Sequence, residues 1–227
     1  MSTYGFTDSF CGLRFQMSRS PSLENIRLEI RNLVLMSERR LFLIAGCNGA
    51  GKTTATYSLL PDIISCSEFV NADEIARGLS PFLPEKASVE AGRIMLARID
   101  DLTARGETFA FESTLSGRIY LPRIREARRS GYLVVILFFW LQDSAMAKER
   151  VVQRIQEGGH GIPPDVVERR YHRGIRRLFD SYLPECDAAF LIDNSAGDLK
   201  FIAQQLTDGN MNIIDKERFH MLQSYRS

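Results

Sequence analysis

Short, uninterrupted apolar segments alternate with longer amphipathic segments along most of the chain. An apolar run without polar breaks is typical of a strand that is buried on both faces of a parallel sheet. The apolar segments predict five strands, over residues 41–45, 66–73, 107–114, 132–141 and 188–195. Because helical segments separate them, the pattern predicts an α/β fold with a five-stranded, mainly parallel sheet flanked by helices.

The amphipathic segments have the end signals of helices. Pro61 follows the first of them, and Gly106 and Gly131 follow two others, as expected of residues that end a helix. The predicted helices cover residues 53–60, 85–105, 119–129, 144–156, 165–182 and 197–206. With this connectivity the loops after the strands meet at the carboxyl edge of the sheet, which is where α/β folds bind ligands.

The two ends of the chain do not follow this pattern. Residues 1–36 have no usable periodicity and are predicted to be a poorly structured extension. It is either a loosely attached segment, such as an over-long translation start, or a regulatory arm. The regular pattern predicts one domain over residues 37–208. Residues 209–227 are expected to form a tail with a short strand over 211–214 and a helical end.

A glycine-rich segment, GCNGAGKTT, joins the first predicted strand to the first predicted helix. It matches the pattern GxxxxGK followed by Thr, in which successive backbone N–H groups point at one anion beside the positive end of a helix. Lys52 is expected to reach the β- and γ-phosphates of a nucleotide, and Thr53 to bind Mg²⁺. The predicted nucleotide-binding residues are Gly46, Asn48, Gly49, Ala50, Gly51, Lys52, Thr53 and Thr54. ATP and Mg²⁺ are therefore the expected cofactors.

The composition of the chain limits the kinds of partner that such a phosphate site is expected to have. The chain has 29 Lys and Arg against 28 Asp and Glu, so its net charge of +1 argues against a nucleic-acid or membrane partner. Its four cysteines are scattered, without a CxxC pair, which indicates a reducing compartment rather than a disulfide scaffold or zinc site. The longest apolar run, residues 132–141, is far shorter than the about 20 residues of a membrane helix, and the N-terminus lacks a signal pattern. A cytoplasmic location is expected.

The glycine-rich loop alone does not distinguish kinases from GTPases or motor proteins. The chain has no NKxD motif for guanine. The segment ILFFWLQDS lacks the acidic pair of an ABC-type ATPase, although LSGRI imitates part of the signature of that class. A small phosphotransferase remains, and it requires a base near the acceptor hydroxyl, an acceptor pocket and cations that neutralise the transferring phosphoryl group.

Two segments supply candidates for the base and the acceptor pocket. Asp73, in VNADEIARG, is predicted to end the second strand beside the glycine-rich loop. There its carboxylate can accept a hydroxyl proton or help to hold Mg²⁺ through water. Glu112 and Thr114, in FAFEST, end the third strand at the same edge and suit a polyhydroxylated acceptor. All three can instead cap the next helices along the chain.

The cations come from residues 148–178, where eight Lys and Arg stand against four acids. Two predicted helices flank a Gly/Pro loop here, which is the layout of a lid, over residues 150–173, that closes arginines on phosphates. Arg154, Arg169 and Arg170 flank the loop most closely and are the candidate catalytic cations. A solvated basic face is the alternative for most of the eight. His160 and His172 can contact phosphate or serve the fold.

Taken together, the segments AGCNGAGKTT, VNADEIARG, FAFEST and RIQEGGHGIPPDVVERRYHR resemble the zeta toxin family of P-loop kinases, in particular its small-ATPase-like branch. The resemblance covers residues 39–195. The first segment is common to P-loop proteins, whereas the lid segment and the spacing of the other two are more specific. The resemblance implies ATP-dependent phosphorylation of a hydroxyl of a UDP-activated amino sugar, notably UDP-N-acetylglucosamine. For toxic members it also implies a small antitoxin that blocks the ATP site.

The same resemblance implies roles for single residues. Lys52 and Thr53 serve the nucleotide, Asp73 is the base, Glu112 and Thr114 contact the acceptor, and Arg154 acts from the lid with Arg169 or Arg170. The segment LIDNS resembles the one that passes near the adenine. Two departures concern the acceptor side: Ser116 stands where toxic members have an arginine, with Arg118 displaced, and the lid is shorter.

Two other functions stay open on the sequence. The first is a P-loop kinase for another small metabolite or for a nucleic-acid end. The absence of a basic, aromatic-lined stretch makes the nucleic-acid end the less favoured of these. The second is an ATP-binding module without transferase activity, in which nucleotide binding drives an interaction with a partner.

Overall fold

The computed structural model describes residues 37–59, 66–157 and 161–226 and confirms the α/β class. Its strands are β1 Arg40–Gly46, β2 Glu68–Val70, β3 Phe109–Ser113, β4 Leu133–Trp140, β5 Ala188–Asp193, β6 Lys200–Gln205 and β7 Met211–Ile213. Its α-helices are α1 Lys52–Leu59, α2 Ala72–Leu79, α3 Ser88–Arg105, α4 Leu121–Arg129, α5 Ser144–Gln156, α6 Pro164–Arg177 and α7 Lys216–Ser224. A 3₁₀ turn, Pro84–Ala87, precedes α3, and a π-helical turn, Leu178–Tyr182, follows α6. The predicted extension over residues 1–36, the predicted helix end at Pro61, and His160 lie outside the described residues.

The seven strands form one sheet in the order β2-β3-β1-β4-β5-β6-β7. Neighbours from β2 to β5 are parallel, whereas β6 and β7 run antiparallel to the strands they pair with. β1 lies between β3 and β4, so that Leu43 has Phe111 on one side and Ile136 on the other. Residues 41–45 are buried, as expected of a parallel strand that is covered on both faces. This order places the loop after β1 in the middle of the carboxyl edge.

Local capping defines where the helices near this edge begin. Asn71 caps α2, because its side-chain oxygen accepts a hydrogen bond from the backbone N–H of Asp73 at 2.8 Å. Asp143 caps α5 in the same way through the N–H of Met146, also at 2.8 Å. These caps start both helices directly after a strand, so each first turn lies at the edge where the loops gather.

Helix α6 is held against the sheet at two points. Trp140 Nε1 donates a hydrogen bond to the Tyr171 hydroxyl at 3.1 Å, and that hydroxyl donates to the Leu141 carbonyl at 2.8 Å. Gly174 lies so close to the end of β3 that a Cβ there would be 2.6 Å from the Thr114 carbonyl oxygen. The carboxyl half of α6 is therefore packed on the ends of β3 and β4.

The predicted helix over residues 197–206 is wrong, because Lys200–Gln205 is strand β6. Gly197, with a φ of 85°, lies in the short turn that reverses the chain between β5 and β6. Residues 201–203 form a buried apolar run that is too short for periodicity to distinguish a helix from a strand. The predicted tail supplies β7 and α7, so the sheet has seven strands rather than five.

None of the helices in the described part of the chain has both the length and the apolar character that crossing a membrane would require.

Candidate active site

The glycine-rich loop between β1 and α1 has the backbone that the sequence predicts. Gly46 has a φ of 142°, and a Cβ there would lie 2.2 Å from the Phe139 carbonyl oxygen. Gly51 has a φ of 76°, and a Cβ there would lie 2.5 Å from the Asn194 side-chain nitrogen. Both positions therefore require glycine for conformation and for space. The loop ends at Lys52, the first residue of α1, so the positive end of this helix faces the loop.

Lys52 is almost fully buried at the base of this loop. Its Nζ donates a hydrogen bond to the Cys47 carbonyl oxygen at 2.9 Å and lies 3.3 Å from Glu112 Oε1. The side chains of Lys52 and Glu112 are 5% and 12% exposed, so the pair is shielded from most of the solvent. The ammonium group is thereby held at the floor of the loop by a carbonyl and a carboxylate.

Glu112, on β3, contacts residues at the start of α1 and a residue that follows β2. Besides Lys52, its carboxylate accepts hydrogen bonds from Thr53 Oγ1 at 2.8 Å and from Asn71 Nδ2 at 3.0 Å. It lies on β3 directly beside β1, opposite Ile44 in the register. Glu112 therefore faces the predicted nucleotide end of the site and does not cap the next helix.

Thr53 and Glu112 fit the requirements of a magnesium site. A hydroxyl and a carboxylate 2.8 Å apart are hard oxygen ligands, and Mg²⁺ commonly takes one or two of these together with substrate phosphates and water. In the described residues no three His, Cys, Asp or Glu side chains converge as an all-protein metal site. The donor set therefore suits an ion that arrives with a nucleotide.

Asp73 lies in the first turn of α2, because β2 ends at Val70. The prediction that it ends the second strand is wrong in this detail, and the helix cap is Asn71 rather than Asp73. Burial is the main cause of the raised pKa of the Tyr120 phenol. Arg123 opposes this shift, and the nearby carboxylate of Asp73 adds to it. Asp73 still lies at the same edge as Glu112, exposed to solvent.

Asn71, Asp73 and Glu112 line one cavity of about 270 Å³ beside the glycine-rich loop. Thr114 and Ser116 are on its wall, with their hydroxyl oxygens 2.9 Å apart. The lining consists of Asn48, Asn71, Ala72, Asp73, Glu112, Ser113, Thr114, Ser116, Gly117, Ile119, Tyr120 and Arg170. The cavity thus combines carboxylates, hydroxyls and one guanidinium next to the place where phosphate is expected.

The three candidate lid arginines occupy different positions. Arg170 lines the cavity, and its Nη1 donates a hydrogen bond to Asn48 Oδ1 at 3.3 Å. Arg169 is half exposed and lies 3.9 Å from Asp165. Arg154 is partly buried in the last turn of α5. Of the candidate histidines, His172 packs on Tyr171 and Tyr225, which indicates a role in the fold.

The sequence interpretation did not single out three residues of this region, although all of them lie in segments that it considered. Asn71 precedes Asp73 by two positions and is marked only by its preference for helix caps. Arg150 Nη2 donates to the carbonyl oxygens of Asn194 and Ser195, both at 2.8 Å, and its Nη1 to the Gly49 carbonyl oxygen at 3.5 Å. Asn194 Nδ2 donates to the Ala50 carbonyl oxygen at 2.9 Å. The position of Arg150 one helical turn before Arg154 is the signal that could have identified it.

Comparisons of the sequence with known proteins give one relative. No protein-family model matches the chain. An uncharacterized protein of Haemophilus influenzae is 28% identical over 142 residues, which cover 63% of this chain and 99% of that protein.

Solved structures show which known proteins share this fold. AvrRxo1-ORF1 in complex with AvrRxo1-ORF2 is 16% identical and covers 90% of this chain. Its TM-score is 0.69 with sulphate ions, over 70% of that chain, and 0.68 with ATP, over 72%. The PezAT toxin–antitoxin system of Streptococcus pneumoniae gives 0.58 at 14% identity, covering 92% of this chain and 97% of that one. The chain has the fold of the zeta-toxin-like P-loop kinases.

This zeta-toxin-like fold confirms the predicted resemblance at the level of the backbone. Identities of 14% and 16% show the fold and leave the acceptor and the roles of single residues open. Those roles therefore have to be inferred from the contacts that the side chains of this chain make.

Proposed function

We propose that this protein is a magnesium-dependent kinase of zeta toxin type, which transfers the γ-phosphoryl group of ATP to a hydroxyl of a UDP-activated amino sugar such as UDP-N-acetylglucosamine. The observation that carries the proposal is the convergence of Lys52, Thr53 and Asn71 on Glu112, beside a cavity that Asp73 and Arg170 line. This convergence supports a site in which a phosphate loop, a proposed magnesium ligand pair and a proposed base act together.

The nucleotide half of the site consists of the loop and Lys52. Backbone N–H groups of the loop bind the phosphates of ATP, as in other glycine-rich loops at helix starts. Lys52 leaves the Cys47 carbonyl oxygen and stabilises the charge on the β- and γ-phosphates. Thr53 and Glu112 hold Mg²⁺, which supplies positive charge to the phosphate oxygens when it is bound.

The acceptor half consists of Asp73, Thr114 and Arg170. The carboxylate of Asp73 takes the proton of the acceptor hydroxyl while the hydroxyl oxygen forms a bond to the γ-phosphorus, and ADP leaves with the electron pair of the broken P–O bond. Thr114 orients the acceptor by hydrogen bonding. Arg170, with Arg154 and Arg169, neutralises charge on the transferring group.

A protein partner is part of the proposal. AvrRxo1-ORF1 is solved in complex with AvrRxo1-ORF2, and the PezAT proteins form a toxin–antitoxin system. We extend this arrangement to the present chain, as a toxin that a small antitoxin restrains. The backbone similarity supports this extension.

The test is an acceptor screen with purified protein, γ-labelled ATP and Mg²⁺, over UDP-sugars, free sugars, nucleosides and oligonucleotide ends. The proposal expects label on a UDP-amino sugar and none with Lys52→Ala, which removes the cation of the phosphate loop. Label on another small molecule or on nucleic-acid ends would show that the proposed acceptor is wrong. ATP binding without transfer to any acceptor favours a nucleotide-binding module instead.

A further inference from the structure

The phosphate loop is contacted by a side chain that follows β5, two strands away from β1 in the sheet. Asn194 follows the last residue of β5, and its Nδ2 donates a hydrogen bond to the Ala50 carbonyl oxygen at 2.9 Å. Its own backbone N–H donates to the Trp140 carbonyl oxygen at 2.9 Å, so its backbone is fixed to the end of β4. Gly51 leaves the space for this contact.

This contact decides where one N–H of the loop points. In a trans peptide the carbonyl oxygen of one residue and the N–H of the next point in opposite directions. Because the Ala50 carbonyl is directed at Asn194, the N–H of Gly51 is directed away from Asn194. A phosphate nest needs its N–H groups directed at one anion before the ligand arrives.

Asn194 is in turn positioned by an ion pair with the carboxy-terminal helix. Asp193 Oδ1 accepts hydrogen bonds from the backbone N–H and the hydroxyl of Ser195, at 2.8 and 2.5 Å. Arg218 on α7 donates from Nε to Asp193 Oδ2 at 2.8 Å and also pairs with Asp215, the cap of α7. Asp193 is buried, so this pairing satisfies a charge that water does not reach.

We infer that Asn194 is a positioning residue for phosphate binding, that it orients the Gly51 N–H through the Ala50 carbonyl, and that the Asp193–Arg218 pair couples α7 to this orientation. The inference rests on the proposed nucleotide site and is independent of the acceptor. Under this inference the carboxyl end of β5 acts on the phosphates rather than on the nucleobase of the ligand.

The experiment measures the affinity of wild type and Asn194→Ala for ATP and for inorganic tripolyphosphate, which carries the phosphates without the nucleoside. Removal of one well-placed hydrogen bond is expected to weaken both ligands by the same factor, about tenfold. Asn210→Ala is the matched control, because Asn210 bonds to Asp208 in an exposed turn, and it should change neither affinity. Asn194→Asp keeps the shape and removes the donor if the alanine variant does not fold.

The outcomes separate the possible roles. Equal loss of both ligands supports the inference. If the variant loses affinity for ATP alone, the inference is overturned, because Asn194 would then contact the nucleoside. If neither affinity changes, the inference is also overturned, because Asn194 would then have no role in binding. If the wild-type protein binds neither ligand, the proposed function fails as well, whereas binding by the wild type with unchanged variants sinks this inference alone.

The coupling to α7 is tested by a double-mutant cycle with Arg218→Gln. If Arg218 acts through Asn194, Arg218→Gln weakens tripolyphosphate binding in the wild-type background and adds nothing in the Asn194→Ala background. Additive losses overturn the coupling. Thermal unfolding without ligand, recorded for every variant, distinguishes a lost contact from a lost fold.

Discussion

Glu112 has three hydrogen-bonding neighbours and two oxygens to satisfy them. Oε2 serves Thr53 and Asn71, and Oε1 faces the Lys52 ammonium group. In the proposed function, a nucleotide that draws Lys52 toward its phosphates frees Oε1 to serve as an anionic ligand of Mg²⁺. The arrangement in the free protein therefore keeps both charges compensated until the ligand replaces them.

Replacing Glu112 by Gln tests this exchange. The amide keeps the shape but loses the charge, so kcat should fall by about 100-fold and the Mg²⁺ concentration for half-maximal activity should rise. Steady-state kinetics over a magnesium titration measure both. Glu68→Gln is the control, because Glu68 lies on β2 in a solvent-accessible ion pair with Arg98. A Glu112 variant with wild-type magnesium dependence would place the ion elsewhere.

At the scale of elements, α5 carries Arg154 and α6 carries Arg169 and Arg170, of which Arg170 lines the cavity. Arg154→Ala is expected to lower kcat about 10³-fold with little effect on ATP affinity, because such an arginine meets charge that develops on the transferring group. The measurement is kcat together with the equilibrium dissociation constant for ATP. A similar loss in both quantities would indicate a ground-state contact.

The control for this prediction has to come from outside the two helices. Arg177 is unsuitable, because its Nη1 lies 3.9 Å from the position of a Cβ on Gly117, which lines the cavity. Arg129 is better, since it is 70% exposed on α4 and pairs with Glu126. If Arg129→Ala and Arg154→Ala have the same mild effect, the role of the lid arginine is wrong.

The elements also show what the sequence could and could not predict. The loop over residues 46–54 follows from a local rule of backbone chemistry, and parallel connectivity then brings Glu112 and Asp73 to the same edge. The helix predicted over 197–206 came from the same alternation of strand and helix, which the turn at Gly197 breaks. Asn194 was missed because its partner is the Ala50 carbonyl, and a contact between such distant residues leaves no local pattern.

At the scale of the whole molecule, buried thiols make stability depend on alkaline pH. Burial raises the pKa of Cys47 and of Cys66 from 9.0 to about 11 in the folded chain. Since the folded pKa values are higher, the contribution of these thiols is complete below pH 9 and is lost as pH rises to 11. Urea unfolding in reductant should show about 2 to 3 kcal/mol of loss per thiol over this range.

Cys66→Ala isolates one of these thiols. Between pH 8 and pH 11, the free energy of unfolding of this variant should decrease less than that of the wild type, because one ionising group is gone. Parallel profiles of the two proteins would contradict the assignment of the alkaline loss to Cys66.

The central position of β1 has a consequence for the order in which the molecule assembles. Leu41 pairs with Phe109 and with Val134, which are synthesised roughly 70 and 90 residues later, so β1 leaves the ribosome without either partner. At 5–20 residues per second, this apolar strand waits for about 4 to 20 seconds before both sides can be covered. The phosphate loop follows β1 and is contacted by Asn194 at the end of β5, so it acquires its full set of contacts late. Under the proposed function, a nascent chain therefore reaches its full affinity for nucleotide only after nearly the whole domain has been made.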